Sequence, residues 1–135
     1  MESEIICLDT SVLIDYFRKK NKKKTFFYEL TDSNTLFAVS VITEYEIYFG
    51  SNNEQDMFWN NFFKILTVLP YNSHTNKLSI SIARRLKKKN KMIDIPDLFI
   101  GATALSNDLK LATLNPKHFE NIDDLRLITR NYKHP

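Results

Sequence analysis

The chain of 135 residues is 43% hydrophobic and 26% charged, an ordinary composition for a globular protein. It contains no run of eighteen apolar residues, so the sequence predicts no membrane span, and its single cysteine, Cys7, excludes an internal disulfide. We expect one domain over residues 1–135 and a cytoplasmic location. The net charge is +3, but 12 of the 19 basic residues lie in segments 18–24 and 84–91, which suit a polyanion or form solvated surface.

Short apolar runs alternate with amphipathic stretches along the chain. Strands are predicted, in order, at 5–8, 36–39, 65–69, 109–112 and 125–128. Helices are predicted at 12–17, 43–49 and 57–63, from about residue 73 onward, and from Ile95 and Pro96 to the fourth strand. Thr10 or Ser11 is the expected cap of the first helix. This alternation predicts an α/β fold, a three-layer sandwich around a mainly parallel central sheet of about five strands.

In such a fold, chemistry gathers beyond the carboxyl ends of the strands, and polar residues follow several of them here. Asp9 ends the first strand, and Thr113, Asn115 and His118 follow the fourth. Each of these residues is also ordinary for a turn, so none identifies a site by itself.

Two acidic residues follow the second strand. Thr43 and Glu46 match the Thr-x-x-Glu pattern of a capping box, which is a purely structural interpretation. Glu44 and Glu46 are two residues apart and cannot share a helical face. Only one of them can therefore point into a cleft, and the spacing leaves open which one.

Asp94 and Asp97 stand at the start of the last predicted helix, around Pro96. Asp94 is the better candidate for the N-cap, and Asp97 falls in the first turn, where the helix dipole favours a carboxylate. Carboxylates at three strand ends, without a cluster of Cys or His, indicate a site made of oxygen ligands. Mg²⁺ and Mn²⁺ prefer such ligands, and a divalent cation relieves the repulsion between the acids.

The segments DTSVLIDYF, SVITEYEIYFG, IPDLFIGATAL and LATLNPKHFENI, in this order, resemble the PIN-domain ribonucleases. The resemblance is closest to the VapC-type toxins of toxin–antitoxin pairs and covers about residues 5–128. It places the family's first three acids on Asp9, Glu46 and Asp97, and so selects Glu46 over Glu44. The positions where a fourth acid often stands hold Asn115 and His118.

The resemblance implies a PIN-like fold and an endoribonuclease that depends on Mg²⁺ or Mn²⁺ held by Asp9, Glu46 and Asp97. Asn115 would orient the attacking water or complete the outer shell of the metal, with Ser11 or Thr113 adding a hydroxyl. His118 would contact phosphate, assist proton transfer or lie outside the site. One cation is expected to bind firmly, because a fourth acid is missing. RNA is expected to contact basic residues of both segments, namely Arg18, Lys19, Lys20, Arg84, Arg85 and Lys88.

The partners implied by the resemblance are an RNA substrate, a small antitoxin protein and a second copy of the chain. The aromatic stretch MFWNNFF (57–63) is either a surface for self-association or, more simply, a helix that faces the core. An alternative function is a catalytically impaired PIN-like module that binds RNA or serves as a scaffold. A weaker alternative is a nuclease that acts on DNA.

Overall fold

The computed structural model describes residues 3–130, which form one five-stranded sheet with helices on both faces. The strands are β1 (Glu4–Leu8), β2 (Thr35–Ser40), β3 (Leu66–Leu69), β4 (Lys110–Thr113) and β5 (Leu127–Thr129). All four strand pairings are parallel, in the order β3-β2-β1-β4-β5. The predicted α/β fold is confirmed, with a sheet that is parallel throughout.

Between residues 3 and 130, six α-helices connect these strands. They are α1 (Thr10–Arg18), α2 (Phe26–Leu30), α3 (Val41–Phe49), α4 (Asn53–Phe63), α5 (Ser73–Lys88) and α6 (Ile95–Ser106). Short 3-10 helices occupy Lys22–Lys24 and Pro116–His118. Within residues 3–130, none of the helices has both the length and the apolar character needed to cross a membrane.

Alternation along the strands divides the core into two layers, because successive side chains of a strand point to opposite faces. Ile6 and Leu8 of β1 face α1, α2 and α4, where they pack with residues such as Trp59. Cys7 faces the opposite side and joins the cluster formed by α5 and α6. Both faces are therefore buried, which explains why the strands read as short continuous apolar runs.

The cap residues of two helices differ from the predictions. Asp9, rather than Thr10 or Ser11, is the N-cap residue of α1, and its side chain forms no capping hydrogen bond. The predicted capping box at Thr43 and Glu46 is not formed, because α3 begins earlier, at Val41. Ser40 caps this helix, and its side chain accepts a hydrogen bond from the backbone N–H of Ile42. Asp94 is the N-cap residue of α6, as predicted, without a capping hydrogen bond from its side chain.

The aromatic stretch in α4 faces the core. Trp59 and Phe62 are buried, and Phe58 and Phe63 pack against the same cluster, whereas Met57 is exposed. Of the two interpretations of this stretch, the helix that faces the core is therefore the one that the structure shows, and self-association stays a prediction. The sequence did not predict α2, in which Phe26 and Phe27 are buried.

Candidate active site

An open pocket of about 560 Å³ lies at the carboxyl edge of the sheet, beside the neighbouring strands β1 and β4. The order of the strands reverses at this pair, which is where α/β folds bind their ligands. The pocket is lined by Asp9, Thr10, Ser11, Ile14, Asp15, Arg18, Lys19, Glu46, Asp97, Leu114, Asn115 and His118. We call it the acid pocket, because it brings Asp9, Glu46 and Asp97 together from three separate segments of the chain.

Asp9 is buried, with only 4% of its surface exposed, and two hydroxyl groups hold its side chain. Ser11 Oγ donates a hydrogen bond of 2.7 Å to Asp9 Oδ2, and Thr113 Oγ1 donates one of 2.9 Å to the same oxygen. Both hydroxyls in turn accept hydrogen bonds from backbone N–H groups, of Leu114 and Asn115 respectively. Both of these side-chain hydrogen bonds to Asp9 end on Oδ2, so the network fixes that oxygen rather than Oδ1.

Glu46 reaches the acid pocket from α3. The Thr10 hydroxyl donates a hydrogen bond of 2.8 Å to Glu46 Oε1 and lies 2.9 Å from Thr43 Oγ1. Glu44, on a different face of α3, is not among the residues that line the pocket. The geometry therefore agrees with the choice of Glu46 over Glu44.

Asp97 enters the acid pocket from the first turn of α6, and its Oδ2 lies 3.1 Å from His118 Nδ1. The pKa of Asp97 is raised to about 6, mainly by burial; the charge of His118 acts to lower it, and the charges of Asp9, Glu46 and Asp94 act to raise it. The charges of Asp9 and Glu46 thus oppose the ionisation of Asp97, and the charge of the neighbouring His118 favours it.

The remaining predicted residues divide between the pocket and other surfaces. Asn115 is exposed at the rim, and Arg18 and Lys19 line the wall formed by α1. Lys20 lines a neighbouring groove. Arg84, Arg85 and Lys88 lie on α5, which contributes no residue to the acid pocket, so their contact with RNA stays a prediction.

Thr10 and Asp15 are pocket residues that the sequence interpretation did not single out as site residues. The sequence indicates only a helix cap at Thr10, whereas its hydroxyl donates a hydrogen bond to Glu46. Asp15 forms an ion pair of 2.8 Å with Lys19 and accepts a hydrogen bond from the backbone N–H of Phe26. Asp15 lies five residues after Thr10, the start of α1, and its i, i+4 spacing to Lys19 is the available signal for their pairing.

The donors in the acid pocket are of the kind that a hard divalent cation prefers, since they are carboxylate, hydroxyl and amide oxygens. Among residues 3–130, however, no three His, Cys, Asp or Glu side chains are grouped so that they could hold a metal ion as they stand. The chemistry of the donors nevertheless fits Mg²⁺ or Mn²⁺, with water free to complete the shell. Mg²⁺ commonly keeps several waters in this way.

Three comparisons place the chain among known proteins. The family model of the PIN domain matches residues 6–125. The Ribonuclease VapC1 of Methanocaldococcus jannaschii is 36% identical over 127 residues, which cover 93% of this chain and 87% of that protein. The solved structure of VapBC-1 from nontypeable Haemophilus influenzae superposes with a TM-score of 0.78 at 30% identity, covering 93% of this chain and 97% of the other. A toxin–antitoxin complex from Klebsiella pneumoniae gives a TM-score of 0.72 at 25% identity, covering 92% of this chain and 96% of that chain.

The arrangement of strands, the position of the acids and the family match define a PIN domain. The chain belongs to the PIN-domain family, and it groups there with the VapC-type members. The predicted resemblance is therefore confirmed.

Proposed function

We propose that the protein is an endoribonuclease that uses Mg²⁺ or Mn²⁺ and acts as the toxin of a toxin–antitoxin pair. The observation that carries this proposal is the convergence of Asp9, Glu46 and Asp97 on one open pocket at the switch point of the sheet. The ribonuclease name of the Methanocaldococcus jannaschii relative supports the same activity. A bound divalent cation would supply charge stabilisation at the phosphate and a water of lowered pKa.

Each acid has a distinct role in the proposal. Asp9 would bind the cation through Oδ1, since Ser11 and Thr113 already donate hydrogen bonds to Oδ2. Glu46 is positioned by Thr10 and is exposed enough to accept a hydrogen bond from a bound water. Asp97 supplies the third negative charge, and its Oδ2 is paired with His118 Nδ1 at 3.1 Å. A neutral amide at Asn115, in place of a fourth acid, limits the attraction for a second cation.

The substrate is proposed to be RNA, with its backbone held by Arg18 and Lys19 on the wall of the acid pocket. Contacts to phosphate position a nucleic acid without reading its sequence, so the two residues would fix where the strand lies. The alternative of a catalytically impaired module drew its support from the missing fourth acid. It is not favoured, because the three other acids all line the same pocket.

The partner is proposed to be an antitoxin, as in the Klebsiella pneumoniae complex. An apolar groove of about 450 Å³ lies between α3 and α6 and shares Glu46 with the acid pocket. Tyr45, Phe49 and Ile95 are exposed along it, at 57%, 80% and 63%. An antitoxin segment that covers these apolar side chains would also reach the acids and block the pocket. A homodimer stays a prediction.

The two glutamates of α3 provide a matched test of the activity. Glu46→Gln keeps the size of the side chain but removes the charge, and we expect it to lower the rate of Mg²⁺-stimulated RNA cleavage by at least about tenfold. The rate is measured with a labelled single-stranded RNA and purified protein. Glu44→Gln, on the same helix but outside the acid pocket, is the control and should cleave at the rate of the unmodified protein. Equal rates for both variants would remove Glu46 from the proposed site.

A further inference from the structure

The segment 18–24, which begins at the last residue of α1, is anchored by the side chain of Lys22. Its ammonium donates hydrogen bonds of 2.5, 3.0 and 2.9 Å to the carbonyl oxygens of Tyr16, Phe17 and Lys19. It also lies 5.0 Å from the centre of the Tyr16 ring and 5.7 Å from that of Phe58. Lys22 therefore satisfies the carbonyl end of α1 and holds the segment in one conformation, rather than facing a ligand.

The other lysines of this segment line an open groove of about 650 Å³, which we call the lysine groove. It is formed by Lys19, Lys20, Asn21, Lys23, Lys24, Glu29 and Arg130. Glu29, the acidic member, forms an ion pair with Arg130. Within residues 3–130, the ammonium groups of Lys20, Lys23 and Lys24 take part in no ion pair. Over the described part of the chain, the groove thus presents three lysines whose charge no ion pair neutralises.

The lysine groove continues from the acid pocket, because Lys19 lines both of them. Arg18, the preceding residue, lines the acid pocket as well. A polyanion that places one phosphate near the three acids therefore meets Arg18 and Lys19 first, and then Lys20, Lys23 and Lys24. The three acids, which repel a phosphate when no cation is bound, lie at one end of this path. The lysines, which attract it, lie at the other.

The second basic segment, 84–91, has a different environment. Lys89 forms an ion pair of 2.9 Å with Asp123, and the charge of Arg85 also acts on Asp123, whose pKa is lowered by these contacts. None of the residues of this segment lines the acid pocket or the lysine groove. The two segments look equivalent in sequence, but only 18–24 is continuous with the acids.

We propose that the lysine groove binds the phosphates of the substrate RNA on one side of the cleavage position, with Lys23 and Lys24 as its outer contacts. This inference rests on the proposed function, since it takes the acid pocket as the place of cleavage. Each phosphate that a lysine neutralises releases a counterion, so the groove contributes an affinity that depends on salt and not on base sequence.

The test is the double variant Lys23→Ala/Lys24→Ala in the full chain, with two readouts. Binding of a fluorescent single-stranded RNA is measured in EDTA between 50 and 200 mM salt, a range over which counterion release is resolved. We expect the slope of log affinity against log salt to become shallower by about 1.4, from two lost phosphate contacts at about 0.7 each. Cleavage with Mg²⁺ should show a raised KM and an unchanged kcat. The control, Lys64→Ala/Lys77→Ala, removes the same charge from two exposed lysines outside the groove and should leave the slope unchanged.

An unchanged slope in Lys23→Ala/Lys24→Ala would overturn the inference, even if Mg²⁺-stimulated cleavage is intact. Binding of a fluorescent acidic peptide is measured in the same way. If the variant loses affinity for this peptide but keeps its affinity for RNA, the inference is likewise overturned, because the groove would then bind a protein partner. Absence of cleavage by the unmodified protein, together with the expected change in slope, would contradict the proposed activity while the RNA-binding groove stands.

Discussion

Asp97→Asn is expected to lower metal-stimulated RNA cleavage by about two orders of magnitude or more, while the protein stays folded. The substitution keeps the shape of the side chain and removes one of the three charges proposed to hold the cation. Burial and the neighbouring acids Asp9 and Glu46 raise the pKa of Asp97 to about 6, despite the opposing effect of His118. A raised carboxyl pKa means that folding disfavours the ionised form, so the free energy of unfolding falls as the pH rises from about 4 through about 6. In the metal-free protein at pH 7, ionised Asp97 therefore destabilises the fold.

The Asn variant should accordingly unfold at the same temperature as the unmodified protein or at a higher one, when both are measured in EDTA. Asp94→Asn is the matched control, since Asp94 is exposed three residues earlier and its side chain makes no capping hydrogen bond. It should keep both activity and stability. Full activity in Asp97→Asn, or a loss of activity accompanied by unfolding, would contradict a role for Asp97 in binding the cation.

Phe119→Ala is expected to lower the free energy of unfolding by about 3–5 kcal/mol, as for other large side chains removed from a core. Phe119 is fully buried, directly after the 3-10 helix that carries His118, and it packs with Ile122 against α6. At Gly101 of α6, a Cβ would lie 3.5 Å from the Phe119 ring and 2.8 Å from Ile122, so the ring and the helix are already in close contact. Truncation leaves a cavity that these neighbours cannot fill without moving.

The measurement is equilibrium unfolding in urea at constant pH. Phe49→Ala is the control, because Phe49 is 80% exposed, and we expect its free energy of unfolding to change by no more than about 0.5 kcal/mol. A loss below about 1 kcal/mol in Phe119→Ala would show that the segment after β4 packs less tightly than described.

The sequence predicted the sheet well because its strands are buried on both faces. Residues such as Ile6, Cys7 and Leu8 read as continuous apolar runs that begin and end at polar residues, and the observed strands differ from the predictions by only one or two positions. The order of the motifs likewise indicated Asp9, Glu46 and Asp97. The structure adds that these acids line one pocket, together with Ser11, Asn115 and His118.

What the sequence did not predict depends on contacts between distant segments. The helix α2 is only five residues long, and its two buried rings, Phe26 and Phe27, are stabilised by packing rather than by an amphipathic period. In the sequence, Thr10 has the character of a helix cap. In the fold, its hydroxyl donates a hydrogen bond to Glu46, which lies 36 positions further along the chain. In the same way, the two basic segments are equivalent as charge runs, and only the fold joins one of them to the acids.

The central claim is that the acid pocket binds a divalent cation with which it cleaves RNA. The most direct measurement is the cleavage rate of a labelled RNA by chelator-treated protein, titrated with Mg²⁺ or Mn²⁺ and compared with Asp97→Asn. We expect no cleavage without added cation, a rate that rises to saturation as the cation is added, and a flat response for Asp97→Asn. Cleavage that proceeds equally in EDTA, or equal titration curves for the two proteins, would contradict the claim.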